Sequence, residues 1–234
     1  RQHSNSTCQQ HSAQSGHTPH RDDTMLAFPT DDDERGGEGR GAAGAKRGTK
    51  SKGGFEALGL SKEVYAGIKR MGYRIPTPIQ RKTLPLSLSG KDVVAVARTG
   101  SGKTAAFLVP VCAAMDAAKR AASTAGVTRG GPRDPARPLA LVLAPTRELA
   151  SQIELEARKL SFASGLNCVC VYGGAGARGQ LAALARGVDI MVATPGRLTD
   201  FVERELVSLR AVRFLVLDEA RRCFHEYRTI QNGT

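Results

Sequence analysis

From Phe55 onward the chain alternates short apolar runs with stretches of helical period. Asp92–Ala97 (DVVAVA), Leu139–Ala144 (LALVLA), Asn167–Tyr172 (NCVCVY), Asp189–Ala193 (DIMVA) and Phe214–Leu217 (FLVL) are predicted strands. Runs this rich in Val, Leu and Ile fit a parallel sheet covered on both faces. Between them, Leu149, Ile153, Ala157 and Leu160 fall on one face of a helix predicted over Arg147–Leu160. Gly130, Gly131, Pro132, Pro135 and Pro138 mark Ala121–Pro138 as a surface loop. Strands alternating with helices predict an α/β fold with right-handed crossovers. Before Phe55 the apolar pattern is missing. Residues 1–54 are Ser, Gln, His, Gly and charge, too polar to offset ordering entropy, and read as a disordered low-complexity tail. The folded domain is expected over 55–234.

Composition sharpens this. At 234 residues the chain has room for one large domain, or one domain and a tail. Its net charge of +12 divides as +1 on residues 1–54 and +11 on the rest, so the basic excess sits where the chain folds and permits an anionic partner. Lys46, Arg47, Lys50 and Lys52 read as a solvated linker, with a nuclear import signal or nucleic-acid arm as the alternative. The longest clean apolar run, Leu139–Pro145, is far short of the roughly 20 residues of a membrane span. A soluble chain without a secretory signal is therefore expected. Cys8, Cys112, Cys168, Cys170 and Cys223 have neither metal-ligand spacing nor a disulfide rhythm and read as ordinary thiols of a reducing compartment. Cys168 and Cys170, two apart in a predicted strand, should share a face.

The chemistry gathers at the strand ends. Asp92–Ala97 runs into Ala97-Arg98-Thr99-Gly100-Ser101-Gly102-Lys103-Thr104, followed by a helical pattern. This is the strand, glycine-rich turn and helix of a phosphate-binding loop, with Ala97 where the general pattern has Gly. Backbone N–H groups and the helix N-terminus would face phosphate oxygens. Lys103 would supply a full charge, and the Thr104 hydroxyl a Mg²⁺ ligand. Phe214–Leu217 ends in Asp218-Glu219. Asp218 is the candidate partner for Mg²⁺, directly or through water, and Glu219 the carboxylate to polarise an attacking water. A nucleotide and Mg²⁺ are the expected ligands, and Lys103, Asp218 and Glu219 the candidate catalytic residues.

These residues resemble the DEAD-box ATP-dependent RNA helicases, specifically their first RecA-like domain. Phe55 lies 17 residues before Gly72, which opens Gly72-Tyr73-Arg74-Ile75-Pro76-Thr77-Pro78-Ile79-Gln80. That string is similar to the family's adenine-reading motif. The resemblance implies that Gln80 bonds the adenine edge, with its amide's paired donor and acceptor, and that Phe55 stacks on the base. Pro145-Thr146-Arg147, Gly173-Gly174 and Thr194-Pro195-Gly196-Arg197 are similar to the family's RNA-contacting segments, each joining a strand end to a helix start. Backbone contacts of this type imply sequence-independent, salt-sensitive RNA binding, with Arg147 and Arg197 adding charge-assisted bonds. The string from Gly53-Gly54-Phe55 to Lys91-Asp92-Val93-Val94 most resembles the subgroup of nucleolar large-subunit ribosome assembly. That implies a nuclear, nucleolar location and pre-ribosomal protein partners, with no membrane partner and no stable homo-oligomer.

The chain departs from the family in two ways. Where the family has Asp-Glu-Ala-Asp, this chain has Asp218-Glu219-Ala220-Arg221, and the pattern fades over Arg222-Cys223-Phe224-His225-Glu226-Tyr227. Neither a Ser-Ala-Thr motif nor a second RecA-like domain with its arginine finger appears before Thr234. The family's Ser-Ala-Thr strand lies between the phosphate-loop strand and the Asp-Glu strand, so the middle of the sheet is expected to be unfilled. The resemblance therefore implies part of an RNA-dependent ATPase. The alternative is a truncated nucleotide- and RNA-binding fragment without turnover.

Overall fold

The computed structural model describes residues 54–124 and 135–223. The expected tail before Gly54, the glycine- and proline-rich part of the 121–138 segment over 125–134, and the sequence beyond Cys223 lie outside the described residues.

A 3-10 turn at Phe55–Leu58 leads into α1 (Lys62–Arg70), α2 (Pro78–Leu88) and the long α3 (Lys103–Thr124). Then β1 (Ala140–Leu143), α4 (Arg147–Leu160), β2 (Cys168–Val171), α5 (Ala177–Ala185), β3 (Ile190–Ala193), α6 (Pro195–Glu203) and β4 (Phe214–Leu217) alternate as the sequence predicts. The local causes are plain. Ser61 caps α1, its hydroxyl accepting from Val64 N–H. Thr77 and Gln80 form a reciprocal capping box at α2, with Pro78 in the first turn where its missing N–H costs nothing. Thr146 caps α4 through Leu149 N–H.

The sheet is wholly parallel, in the order β2-β3-β1-β4. Side chains alternate across it with period two. Val142 and Ile190 enter a core with Val64 and Ile68 of α1, Leu84 of α2, Leu108 and Met115 of α3, and Ile153 and Leu160 of α4. Leu141 and Met191 point to the opposite face, against Leu184 of α5 and Phe201 of α6. Both faces are thus covered over β1, β2 and β3, which is why these strands read as continuous apolar runs. Cys168 is buried on the first face and Cys170 packs against that same core, as their spacing predicts.

Two expectations need correction. Asp92–Ala97 is not a strand of the sheet. A ladder needs a neighbour for its backbone groups, and a gap of about 2400 Å³ opens where that neighbour would lie, lined by Asp92–Ala97 on one side and Phe214–Leu217 on the other. Val96 is 76% exposed and Leu215 59%, high for such side chains in a parallel sheet. Among the described residues no strand occupies that gap. The second correction is local: Ala121–Thr124 belongs to α3 and not to a loop, because the alanine-rich sequence continues the helix to Thr124.

Gly67 brings α1 onto the end of α4. A Cβ at Gly67 would overlap the Leu160 carbonyl, a backbone group that cannot swing aside. Alanine is favoured over glycine in a helix by about 1 kcal/mol, while overpacking against backbone costs about 3 kcal/mol. Gly67→Ala should therefore destabilise the chain by about 2 kcal/mol in urea unfolding, against the direction of helix propensity. Burial also pushes up the thiols of Cys168, to about 11, and Cys170, to about 12, and raises Cys112 further still. A raised thiol keeps its proton to higher pH, so iodoacetamide at pH 8.5 should label these three slowly in the native chain. Urea should restore ordinary rates, as peptide mapping would read directly.

Candidate functional site

Register decides where the site forms. Leu143 pairs with Ala193 and with Leu217, and Val171 pairs with Ala193, so all four strands end level. The ladder continues one residue further: Ala144 N–H donates to Ala193 O, Thr194 N–H to Val171 O, and Asp218 N–H to Leu143 O, each at 3.0 Å. The candidate residues at 144–147, 172–174, 194–197 and 218–219 therefore stand in a row along the carboxyl edge of the sheet, the usual ligand edge of an open α/β sheet.

The phosphate loop lies beside Asp218, across the gap. Gly100 and Gly102 take φ of +80° and +90°, conformations that a side chain would strain. Gly102 has a second reason to be glycine, since a Cβ there would come within 2.6 Å of Gln80 Nε2. That amide nitrogen donates to Gly102 O at 3.0 Å while Gln80 Oε1 accepts from Thr77 N–H at 3.0 Å. Gln80 is 4% exposed, so it ties the start of α2 to the loop from inside. Lys103 Nζ donates to Ala97 O at 2.6 Å and Arg98 O at 3.1 Å, carbonyls of its own loop that a phosphate would have to replace. Thr104 follows it in the first turn of α3. Ser101 Oγ is buried without a hydrogen-bond partner. An orphaned hydroxyl in a glycine turn at the N-terminus of a 22-residue helix fits a site built for an anion's oxygens.

Asp218 is half-buried, and burial pushes its carboxyl above the ordinary range, with the Glu219 charge adding to that and Lys103 pulling it back. Asp218 and Lys103 line one cavity. Glu219 adopts φ of +51°, unusual for a non-glycine residue, and its N–H donates to Asp218 Oδ1 at 3.1 Å. Its carboxylate pairs with Arg222 at 2.9 Å. Arg221 is exposed, so its charge enters no buried polar network among the described residues.

Phe55 is 2% exposed and packs in the core, stacked on Tyr73 at 6.5 Å between centroids. Stacking on a base would require the ring to leave that position. Arg147 is exposed, pairs with Glu148 at 3.0 Å, and lies close over Gly174. Arg197 is turned inward: its side chain is 16% exposed, donates to Ala175 O at 3.0 Å, pairs with Asp200 and lies over the Phe201 ring at 5.4 Å. Pro145 is buried and Thr146 exposed, whereas Thr194 is buried with Pro195 and Gly196 beginning α6. The turn of Gly173-Gly174 is exposed between them.

Residues 77–232 match the DEAD/DEAH box helicase family. The chain belongs to that family. It is 53% identical over 169 residues to DEAD-box ATP-dependent RNA helicase 52A of Oryza sativa subsp. japonica, covering 72% of this chain and 28% of that protein. To the ATP-dependent RNA helicase DDX54 of Mus musculus it is 46% identical over 175 residues, covering 75% of this chain and 18% of that protein. Among solved structures, the RNA-helicase Prp28 of Chaetomium thermophilum bound to ADP superposes with a TM-score of 0.61 at 41% identity, over 74% of this chain and 39% of that one. The fold is accordingly that of a RecA-like helicase domain, and the chain spans less than a third of these two curated relatives. No helix among the described residues is long and apolar enough to cross a membrane.

Within a DEAD-box helicase domain the donor set suits a nucleotide with Mg²⁺, an ion that takes one or two carboxylates and completes its shell with phosphate oxygens and water. Thr104 and Asp218 would hold it. Two features here escaped sequence reasoning: the unpartnered Ser101 hydroxyl, which only burial reveals, and Gln180, whose amide meets both backbone groups of Tyr172. In the folded chain Lys103→Ala should weaken ATP binding about 10–100-fold, the worth of one or two charge-assisted bonds. Isothermal titration beside a melting curve would separate that loss from unfolding.

Proposed function

We propose that this chain is the ATP- and RNA-binding part of an ATP-dependent RNA helicase. The observation that carries the reading is the shared edge: phosphate loop, Asp218-Glu219 and the three strand-to-helix segments all meet one end of one sheet. ATP would sit on Gly100–Thr104 with Gln80 at the adenine, Phe55 and Tyr73 supporting that wall, and Mg²⁺ on Thr104 and Asp218. Glu219 would polarise the attacking water once released from Arg222. RNA would lie along Pro145–Arg147, Gly173-Gly174 and Thr194–Arg197, read through its backbone and without sequence preference.

Separation of RNA strands is assigned to the longer protein, as the length of the relatives supports. The string Gly53–Val94 supports a place in nucleolar large-subunit ribosome assembly, with pre-ribosomal proteins as partners and the chain acting as a monomer. The RNA assignment is tested by the fluorescence anisotropy of two unrelated single-stranded RNAs across a salt series. Arg147→Ala should weaken both equally and reduce the salt slope by about one. An effect confined to one sequence would refute backbone recognition, and no binding by the unaltered chain would refute the RNA reading.

A further inference from the structure

The Gly173-Gly174 turn has almost no local means of holding a shape. Gly174 takes φ of +74°, and a Cβ on Gly173 would meet nothing within 4 Å. Two glycines in an exposed turn carry the largest backbone entropy of any pair. The turn also leaves β2, an edge strand whose one neighbour among the described strands is β3. Something outside the turn must therefore fix it.

Gln180, in the first turns of α5, meets both backbone groups of Tyr172, the residue just before the glycines. Its Oε1 accepts from Tyr172 N–H at 3.1 Å, and its Nε2 donates to Tyr172 O at 3.0 Å. A primary amide offers the same donor and acceptor pair as a peptide group. One side chain thus extends the hydrogen bonding of β2 at its free edge, at the point where the strand ends. On the far side of the glycines, Arg197 Nη2 donates to Ala175 O at 3.0 Å, and that guanidinium is itself fixed by Asp200 and the Phe201 ring. The turn is held at both ends, by α5 before it and α6 after it.

We propose that Gln180 is a positioning residue for RNA binding, holding Gly173-Gly174 in the form that meets an RNA backbone, and that Arg197 is the matching strut on the far side of the turn. This rests on the RNA reading above. Pre-set N–H donors bind an anion without the ordering cost that a loose glycine pair would incur. Both halves of the amide are needed, because a carboxylate at 180 keeps the acceptor for Tyr172 N–H but loses the donor to Tyr172 O.

The experiment compares the full chain with Gln180→Ala, Gln180→Glu and, as a direct-contact control, Arg147→Ala. Three quantities are read: amide hydrogen exchange of the 172–176 peptide without RNA, the Kd for a fluorescein-labelled single-stranded RNA, and the Kd for a fluorescent ATP analogue. Gln180→Ala should speed exchange in the turn and raise the RNA Kd about tenfold, as expected for losing two neutral hydrogen bonds. Nucleotide affinity should stay unchanged, and Gln180→Glu should fall between. An unaltered RNA Kd in Gln180→Ala, with Arg147→Ala impaired, would overturn the positioning role. So would a parallel loss of nucleotide and RNA affinity, which marks general loosening. If the unaltered chain binds no RNA, the RNA reading itself falls, and the exchange measurement then decides alone whether Gln180 holds the turn.

Discussion

The level ending of four parallel strands is the constraint on which the rest depends. In a parallel sheet with side chains buried on both faces, each strand's register is fixed by its neighbours and by the two cores at once. Leu143, Val171, Ala193 and Leu217 therefore stop together, and each chain leaves the sheet at the same edge. Helices α4 and α6 begin within a few residues of that edge. Their first-turn N–H groups are added to the glycine turns already there. The site is thus a consequence of topology: segments some seventy residues apart in sequence become neighbours without any contact between them having to be strong.

The same principle accounts for the one large irregularity. Asp92–Ala97 has the composition of a buried strand but lies outside the sheet, facing β4 across a gap of about 2400 Å³. Strand propensity is largely a preference for a pleated, packed surface and not an intrinsic backbone choice. With no described segment between them, the apolar run has nothing to pair with, and Val94, Val96 and Leu215 are left over half exposed. The phosphate loop at the end of that run keeps its turn even so, because Gln80 holds Gly102 from the side of α2. Two devices of similar chemistry thus organise the site: a buried glutamine amide at Gly102 and a half-buried one at Tyr172. Each fixes a glycine turn from a neighbouring helix, leaving the turn's own donors available.

Charge follows a similar division. Arg147 and Arg197 are indistinguishable as sequence, each closing a strand-to-helix motif. Arg147 is exposed beside Gly174, while Arg197 spends its donors on Ala175 and Asp200. Arg221 carries the opposite sign to the family's aspartate, yet it is Arg222, one residue on, that pairs with Glu219. The net charge of +12 thus conceals several arginines whose work is internal.

Much of this was legible in the sequence. Four of the five predicted strands, the helix over Arg147–Leu160, the phosphate loop and the motif order all follow from local pattern. Periodicity and glycine placement are set by backbone sterics within a few residues, and they survive in any context. The family follows as well, since ordered motifs at set spacings are themselves a local record. Tertiary structure alone decided four things: that Asp92–Ala97 would not join the sheet, that Phe55 would be buried, that Arg197 would turn inward, and that Gln180 would grip Tyr172. Each depends on which distant backbone or side chain arrives alongside, and a hydrogen bond or a ladder exists only when both partners are in place.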